Sequence, residues 1–399
     1  MSSCTDLDDY WWLIGPEAAP WLGIAAEVGE ATVQLTAKLR RELSAERVRL
    51  VLEQARLRRR AKEKFPAAER MFFTAIGLEQ ATDAWVAAYK AERLAARLAA
   101  CAAVADLCCG IGGDLAAITQ QMPATGVDRD PIAGLFAEAN AGGHATRPPV
   151  NVRVGNVEVF SVGEYGAWHI DPDRRPTGRR TTRAVLHEPS LDVLERLLQE
   201  CPNAAVKLAP AAELPDGWAN RAELEWISSR RECRQLVAWF GGLTDRPGQR
   251  QATVLGRSHS PRTILETADA EIVVATQIGK YVFEPDPAVL AAGLSGALAA
   301  EHDVASIALG IAYFTGDHPV DDSALSCFEV LEVLPLRVAT LKSWLDARGI
   351  GRLEIKKRSV KIEPEVLRAR LKLRGENEAT LLIAPVERKP LVIAARRIS

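Results

Sequence analysis

The first hundred residues carry a helical pattern of apolar positions. From about residue 18 to residue 100 the chain is rich in Ala, Leu, Arg and Glu, and apolar residues recur at helical spacing, as in Val48, Leu52 and Ala55. Spacings of three and four residues place side chains on one face of a helix. We therefore predict an N-terminal helical region over residues 1–100.

From residue 103 the pattern changes to short apolar runs that alternate with helical stretches. Five runs predict strands: VADLCC, ATGVD, VNVRV, AWHID and AAVKLA. Strands that alternate with helices are typical of a mainly parallel sheet with crossover connections. We assign residues 101–265 to this α/β domain, while the pattern over residues 224–254 leaves the register of its last strands open.

The C-terminal stretch repeats this alternation on a smaller scale. FEVLEVL and RLEIKKR predict strands, RVATLKSWLDARG and EPEVLRARLKLRG predict helices that end near Gly349 and Gly375, and EATLLIAPV with KPLVIAARR predicts a hairpin. Such a module is large enough to fold on a sheet and two helices. We place it at residues 328–399, and residues 266–327 form a connecting segment.

Composition and length agree with a globular protein of two or three domains. The 399 residues are 48% hydrophobic and 26% charged, which is enough apolar surface for a proper core. The seven cysteines form no C-x-x-C pair and no Cys/His cluster, so we expect neither a disulfide framework nor a structural metal. Since no apolar run reaches the roughly 18 residues of a membrane span, and the N-terminus has no signal pattern, we expect a cytoplasmic protein without a membrane partner.

The formal net charge of -2 is the sum of two unlike parts. Residues 331–399 contain 16 Lys and Arg against eight Asp and Glu, a net of +8, whereas residues 1–330 contain 34 against 44, a net of -10. Lys356, Lys357 and Arg358 at a predicted strand end suit contact with a phosphate backbone. Ordinary surface charge is the alternative, because no aromatic residues are interleaved with these cations. The next predicted helix carries Arg368, Arg370, Lys372 and Arg374.

The segment DLCCGIGGD, residues 106–114, has the features of a nucleotide-binding turn. It directly follows a predicted strand and precedes a helix. Gly110, Gly112 and Gly113 let the backbone turn tightly and approach a ligand, and the start of the helix offers free N–H groups. Asp128 ends the next strand, where an acid can bind a ribose diol through two hydrogen bonds.

The details of the turn favour one cofactor class over another. Leu115 stands where the dinucleotide pattern G-x-G-x-x-G requires its third glycine, so a nicotinamide cofactor is disfavoured. Asp106 at the strand end suits a ligand with an amino-acid ammonium group. Both features favour S-adenosylmethionine (SAM).

These residues resemble a known family. Residues 106–113 with Asp128 are similar to the cofactor motif of class I SAM-dependent methyltransferases, most closely the branch with a C-terminal THUMP-like domain. KFPAAERMFFTAIGLEQAT, HIDPDRR, VKLAP, YVFEPDPAV and RLEIKKR also look like that branch, so the resemblance spans nearly the whole chain. A more distant similarity is to trimethylguanosine synthases. The resemblance implies a Rossmann-like α/β sheet with an N-terminal helical region and a small C-terminal α/β (THUMP-like) domain.

The resemblance also implies roles for single residues. The turn would bind the methionine part of SAM, Asp128 its ribose and Asn156, after the third strand, its adenine through the side-chain amide. Cys108 replaces the Gly of the commonest motif, and we expect a tighter pocket there. The residues of the turn that would contact SAM are Asp106, Cys108, Gly110, Gly112 and Gly113.

The fourth predicted strand ends in Asp171-Pro172-Asp-Arg-Arg, at the edge of the sheet where ligands bind. In related methyltransferases of base amino groups the pattern is Asp/Asn-Pro-Pro-aromatic, so this chain keeps only the first half. Asp171 and Pro172 are the candidate catalytic residues, because methyl transfer mainly requires alignment of donor and acceptor. Arg174 and Arg175 can bind phosphate or stack on a base, with a solvated loop as the alternative.

Three further residues near this edge have less specific signals. Lys207, just after the fifth strand, either contacts substrate or pairs with an acid. His169 and His187 lie outside any catalytic or metal-binding spacing, so we expect them to be structural.

We therefore expect a SAM-dependent methyltransferase that acts on RNA and binds it through the C-terminal module, because THUMP-related domains generally bind RNA. A methyltransferase of a small molecule or a protein is one alternative. A non-catalytic RNA-binding protein that retains a SAM pocket is the other. The RNA species, the methylated atom and the oligomeric state are left open.

Overall fold

The computed structural model describes residues 7–28, 32–142, 150–172, 188–256, 260–268, 271–386 and 389–398. The chain divides into two compact units. Unit 1 comprises Met1–Leu224 and Arg234–Gln249, and unit 2 comprises Glu225–Cys233 and Arg250–Ser399.

Unit 1 begins with a helical region, as predicted. Polar caps fix where these helices start: the Ser44 hydroxyl accepts from the Arg47 N–H, and the Asp83 carboxylate accepts from the Val86 N–H. Apolar side chains of the region share one core with Ile111 and Phe136 of the sheet part. The helices are α1 (Leu7–Ile14), α2 (Ala19–Val28), α3 (Val33–Leu39), α4 (Ala45–Ala61), α5 (Ala75–Gln80) and α6 (Ala84–Arg97).

The rest of unit 1 alternates strands and helices. All five strands predicted from the apolar runs are present. The elements are β1 (Val104–Leu107), α7 (Gly113–Ile118), β2 (Ala124–Asp128), α8 (Pro131–Gly142), β3 (Asn151–Val154), β4 (Ala167–Ile170), α9 (Leu191–Glu200), β5 (Ala204–Leu208) and α10 (Trp218–Arg221). The chain then runs through β6 (Glu223–Ser229) into unit 2 and returns in β7 (Glu232–Phe240).

The sheet of unit 1 has the strand order β3-β2-β1-β4-β5-β7. The first five strands are parallel, and β7 is antiparallel to β5. Strands β1, β4 and β5 are buried along their whole length, as expected for a sheet covered on both faces. Because the order reverses between β1 and β4, the carboxyl ends of these two strands border a crevice.

Unit 2 contains a second sheet, with the order β11-β12-β10-β13-β16-β15-β14. The predicted C-terminal hairpin is present as β15 and β16. The segment 266–327, expected as a connection, contributes three strands to the same sheet, with Val282 paired to Phe328. The elements of unit 2 after β6 are β8 (Arg250–Leu255), β9 (Arg262–Leu265), β10 (Tyr281–Pro285), α11 (Pro287–Ala292), α12 (Ser295–Glu301), β11 (Ala305–Ser306), β12 (Phe314–Gly316), β13 (Leu325–Pro335), α13 (Val338–Ala347), β14 (Ile350–Lys357), α14 (Pro364–Leu371), β15 (Asn377–Val386) and β16 (Lys389–Arg397).

One helix of unit 2 ends earlier than the sequence predicts. Helix α14 ends at Leu371, four residues before the predicted Gly375, because Lys372 adopts a left-handed conformation with φ of 48°.

Across the described ranges, no helix is long and apolar enough to span a membrane.

Candidate active site

A cavity of about 590 Å³ opens at the carboxyl ends of β1, β2 and β4 in unit 1. This is the crevice at which the strand order reverses, where open α/β sheets bind their ligands. Most residues predicted from the sequence for cofactor binding and catalysis lie on its wall. They are Asp106, Cys108, Gly110, Gly113, Asp128, Asn156, Asp171 and Pro172.

The glycine turn after β1 depends on backbone conformations that favour glycine. Gly110 and Gly112 have φ of 54° and 79°, and Cys108 adopts a φ of 53°. A Cβ atom on Gly112 would lie 2.8 Å from the Cα of Ala137 on α8, so this glycine permits close packing of turn and helix. Gly112 thus lets the turn pack against α8, while Gly110 lines the cavity. Burial raises the pKa of the Cys108 thiol well above its ordinary value.

Asp128 ends β2 with its carboxylate in a fixed position. Its Oδ2 accepts from the N–H of Gly110 at 2.8 Å, and its Oδ1 accepts from the N–H of Asp130 at 2.9 Å. Burial raises the pKa of Asp128 above the ordinary aspartate value. Each oxygen keeps a second lone pair, so the carboxylate can still accept from a diol in the cavity.

Asn156 lies after β3 and caps a short 3-10 turn on the cavity wall. Its Oδ1 accepts from the N–H of Glu158 at 2.9 Å, and its Nδ2 donates to Glu158 Oε2 at 3.1 Å. An amide nitrogen has two N–H donors, so one of them stays available to a ligand.

Asp106 belongs to a buried polar chain that the sequence did not indicate. His169 Nδ1 lies 2.7 Å from Asp106 Oδ1, and its Nε2 lies 2.9 Å from Lys90 Nζ. Lys90 also pairs with Asp114 Oδ1 at 2.7 Å. An ammonium group only donates, so Nε2 of His169 accepts and Nδ1 donates to Asp106. His169 is therefore a structural link at the site.

The same series of polar contacts continues to Asp171, which lines the cavity. Thr82 donates its hydroxyl to Asp114 Oδ2 at 2.7 Å and accepts from Lys207 Nζ at 3.1 Å. Lys207 also donates to Asp171 Oδ2 at 2.5 Å. Burial by itself would raise the pKa of Asp114, but Lys90 and other neighbouring groups hold it below the ordinary value. The sequence left two roles open for Lys207, contact with substrate or pairing with an acid. The structure shows the pairing, with Asp171.

The cavity offers the groups that SAM requires. Asp106 Oδ2 is buried and, among the described residues, has no hydrogen-bond partner. An orphaned buried carboxylate oxygen is costly unless a ligand satisfies it, and the α-ammonium group of SAM carries the donors that fit. Asp128 and Asn156 line the same cavity and offer it a carboxylate and an amide N–H.

The N-terminal helical region forms one wall of the cavity, which sequence reasoning missed. We call residues 74–82 the strap; seven of its residues, among them Thr74, Gly77 and Thr82, line the cavity. Lys64 fixes the strap, because its Nζ donates to the carbonyls of Leu78, Glu79 and Ala81 at 2.8 to 3.1 Å. The family-like run from Lys64 to Thr82 was the available signal, but helical periodicity alone does not place it on the sheet.

Of the other predicted substrate contacts, Arg174 and Arg175 lie outside the described residues, and Lys356, Lys357 and Arg358 belong to unit 2. His187, which was expected to be structural, also lies outside the described residues. In unit 2, Lys356 and Arg358 both pair with Glu284, at 2.8 and 3.0 Å.

Lys357 is also engaged in unit 2. It donates to the carbonyl of Ile362 and lies 3.4 Å from Glu363. The charges of all three predicted cations are therefore at least partly compensated within the protein.

One group of side chains in unit 2 has the composition of a metal site. Glu301, His302 and Asp322 bring their ligand atoms within 4.8 Å of one another. Arg262 pairs with Asp322 at 2.9 Å and with Glu301 at 2.5 Å. A guanidinium already occupies the space between the acids, so this cluster is an ion-pair network.

Comparison with known proteins identifies the family. The chain is 32% identical over 346 residues to an uncharacterised SAM-dependent methyltransferase found in two strains of Mycobacterium tuberculosis, covering 84% of this chain and 92% of the relative. The crystal structure of a protein from Porphyromonas gingivalis W83 that is assigned as a methyltransferase has a TM-score of 0.77 at 20% identity, covering 96% of this chain and 99% of that chain. Residues 325–397 match the family THUMP domain-like, and residues 6–61 match a domain of unknown function (DUF8688).

The strand order and the glycine turn at its reversal point define a class I methyltransferase fold. At 32% identity over most of both sequences, this chain belongs to the family of SAM-dependent methyltransferases. SAM is its cofactor, and its C-terminus is a THUMP-like domain. The predicted fold class, enzyme class and cofactor are confirmed.

Proposed function

We propose that this methyltransferase acts on RNA and that unit 2 binds the RNA through exposed cations on α14 and in the segments directly before and after it. The observation that carries the proposal is a group of basic side chains in the THUMP-like region that have no ion pair with another described residue. Counterion release makes such cations favourable contacts for a phosphate backbone. They are Lys361, Arg370, Lys372 and Arg374, all exposed.

The choice of these cations departs from the sequence-based candidates. Lys356 and Arg358 neutralise the nearly buried carboxylate of Glu284, and a cation engaged in that way has less charge to offer a phosphate. Arg370 and Lys372 have no such partner among the described residues. We therefore assign Lys356, Lys357 and Arg358 mainly to the stability of unit 2.

At the cavity, we propose that SAM is held by Asp106, Asp128 and Asn156 and that Asp171 faces the methyl acceptor. SAM supplies an electrophilic methyl group on a sulfonium. Asp171 and Pro172 lie on the cavity wall, and a carboxylate there can accept a hydrogen bond from an acceptor N–H or O–H and orient it. Orientation is the main contribution a protein makes to a displacement of this kind.

A methyltransferase of a small molecule or protein is the second candidate. The ion pairing of Lys356 and Arg358 favours it, because it reduces the free positive charge of unit 2. The two candidates differ in the molecule that accepts the methyl group, which is RNA in the first and a small molecule or a protein in the second.

The test is incubation of the full-length protein with methyl-labelled SAM and size-fractionated cellular RNA, followed by nucleoside analysis. We expect label in one RNA fraction. We also expect Asp171→Asn to reduce that label about 100-fold, to a rate that can still be measured, while it keeps its affinity for SAM. Asp192→Asn, an exposed acid on α9, is the matched control. Label in protein or in small molecules, with none in RNA, would refute the RNA proposal.

A further inference from the structure

We propose that Lys207 is a positioning residue for methyl transfer: it holds the Asp171 carboxylate at the cavity edge and does not itself contact the methyl acceptor. The inference rests on the proposed role of Asp171 in orienting that acceptor. It assigns a mechanistic task to a buried lysine that lies outside the cavity wall.

The hydrogen bonds of Lys207 leave it no donor for a substrate. Its side chain is only 6% exposed. Its Nζ donates to Asp171 Oδ2, to Thr82 Oγ1 and, at 3.5 Å, to the carbonyl of Gln80. An ammonium group has three N–H donors, and these three contacts use all of them.

Asp171, in contrast, is placed to act on a ligand. Its side chain is 23% exposed and lines the cavity. Its backbone N–H donates to the carbonyl of Leu107 at 3.3 Å, which ties it to the end of β1. Within the described ranges, Lys207 is the partner of Oδ2, and the other oxygen has no hydrogen bond. Among the described residues, one oxygen is thus fixed and the other is left to accept from the methyl acceptor.

The remaining contact of Lys207 joins it to the cofactor side of the cavity. Lys207 donates to Thr82, and Thr82 donates to Asp114. The chain then passes through Lys90 and His169 to Asp106. The direction of every bond is set, because carboxylates only accept and ammonium groups only donate. The acid suited to the cofactor ammonium and the acid at the acceptor edge are therefore the two ends of one chain of hydrogen bonds and ion pairs.

The first test separates binding from catalysis. Loss of a positioning contact displaces Asp171, and a displacement of about 1 Å costs about 100-fold in rate. We expect Lys207→Met to lower kcat by about this factor with little change in the Kd of SAM, and Lys207→Gln, whose amide can still donate, to retain most of the rate. Lys280→Met, at an exposed lysine of unit 2, is the control.

The second test asks whether Lys207 acts through Asp171. In an Asp171→Asn background we expect Lys207→Met to cause no further loss of kcat, because the carboxylate that it positions is already absent. An equal further loss would overturn the proposal. So would a raised KM for the acceptor at unchanged kcat, which would indicate direct contact with substrate.

A third readout needs no acceptor and therefore stands apart from the RNA proposal. In a crystal structure of Lys207→Met we expect the Asp171 carboxylate to leave its position at the cavity edge, and in Lys207→Gln to keep it. An unmoved carboxylate in Lys207→Met would refute positioning even if the acceptor is not RNA. If Lys207→Met alone does not fold, the second test still decides, because the double variant with Asp171→Asn removes both charges together and avoids an unpaired buried acid. Its kcat is then compared with that of Asp171→Asn alone.

Discussion

At the residue scale, the two oxygens of the Asp106 carboxylate differ in a way that suits a cationic ligand. Oδ1 accepts from His169, whereas Oδ2 is buried without a partner among the described residues. Burial raises the pKa of Asp106, and this effect exceeds the lowering by His169. In the ligand-free protein the ionised form of Asp106 is therefore poorly stabilised, and a cationic ligand would stabilise it.

This arrangement predicts that SAM affinity falls in mildly acidic solution. The pKa values of Asp106 and Asp128 are both raised, so protonation begins above the ordinary aspartate value of about 3.9. The cationic ligand requires the ionised form. Affinity is complete above the raised pKa values and is lost as the pH falls through them. Calorimetric titration with SAM from about pH 8 to pH 4 measures the effect, and an affinity that stays constant over this range would contradict it.

The ribose assignment predicts the effect of a single substitution. Asp128→Ala removes two charge-assisted hydrogen bonds to the diol, each contributing about 1.5–3 kcal/mol. We expect the Kd of SAM to rise at least about 100-fold. The thermal midpoint should fall as well, because the N–H groups of Gly110 and Asp130 lose their acceptor. Glu138→Ala, an exposed acid on α8, is the control. An unchanged Kd for Asp128→Ala would exclude the ribose role.

At the element scale, the strap shows what the sequence can and cannot predict. The glycine turn, Asp128 and Asp171 were predictable, because the carboxyl ends of parallel strands meet at one edge of a sheet. The cavity wall formed by Thr74 and Thr82 was not, since it depends on long-range packing of helices against the sheet. Helical periodicity reports which face of a helix is buried but not which surface covers it.

The close packing of the strap predicts a strong effect at Gly77. A Cβ atom there would lie 2.5 Å from Ile111 Cγ2 and 2.8 Å from Thr74 Oγ1. We expect Gly77→Ala to destabilise the protein by about 1–3 kcal/mol through overpacking and to weaken SAM binding. Thermal unfolding and SAM titration measure both effects.

The same substitution at Gly23 is the matched control for Gly77. Gly23 lies within α2, and a Cβ atom there would meet nothing within 4 Å. Because alanine favours a helix over glycine by about 0.5–1 kcal/mol, Gly23→Ala should stabilise the protein and leave SAM binding unchanged. Equal effects at both positions would show that the strap has no special contact with the turn.

At the scale of the whole molecule, the RNA proposal depends on the distribution of charge and not on the net charge. The net of -2 combines an acidic first part with a C-terminal stretch of +8. Within that stretch, some cations are paired and others are exposed. The distinction could not be read from the sequence, because Glu284, which pairs with Lys356 and Arg358, precedes them by about 70 residues.

This distinction predicts two different results from neutralising cations in unit 2. We expect the triple variant of Arg370, Lys372 and Arg374 to Gln to reduce the salt-dependence slope of RNA binding by about 2, at about 0.7 for each contact with a single strand. Filter binding at several salt concentrations measures the slope. An unchanged slope would place the RNA surface elsewhere.

The paired cations give the matched control for this experiment. We expect Lys356→Gln with Arg358→Gln to leave the slope nearly unchanged and to lower the thermal midpoint. Their removal leaves the Glu284 carboxylate, which is 8% exposed, without its two nearest cations. Among the described residues only Arg231, at 3.8 Å, then remains to compensate it.

The division of the chain between its two units has a consequence for synthesis. Unit 1 is made of two stretches, and the second, Arg234–Gln249, follows the first stretch of unit 2. Strand β7, the last strand in the sheet of unit 1, therefore emerges from the ribosome only after β6 has carried the chain into unit 2. Unit 1 cannot complete its sheet until β7, which ends at Phe240, has been translated, and no single proteolytic cut yields both units intact.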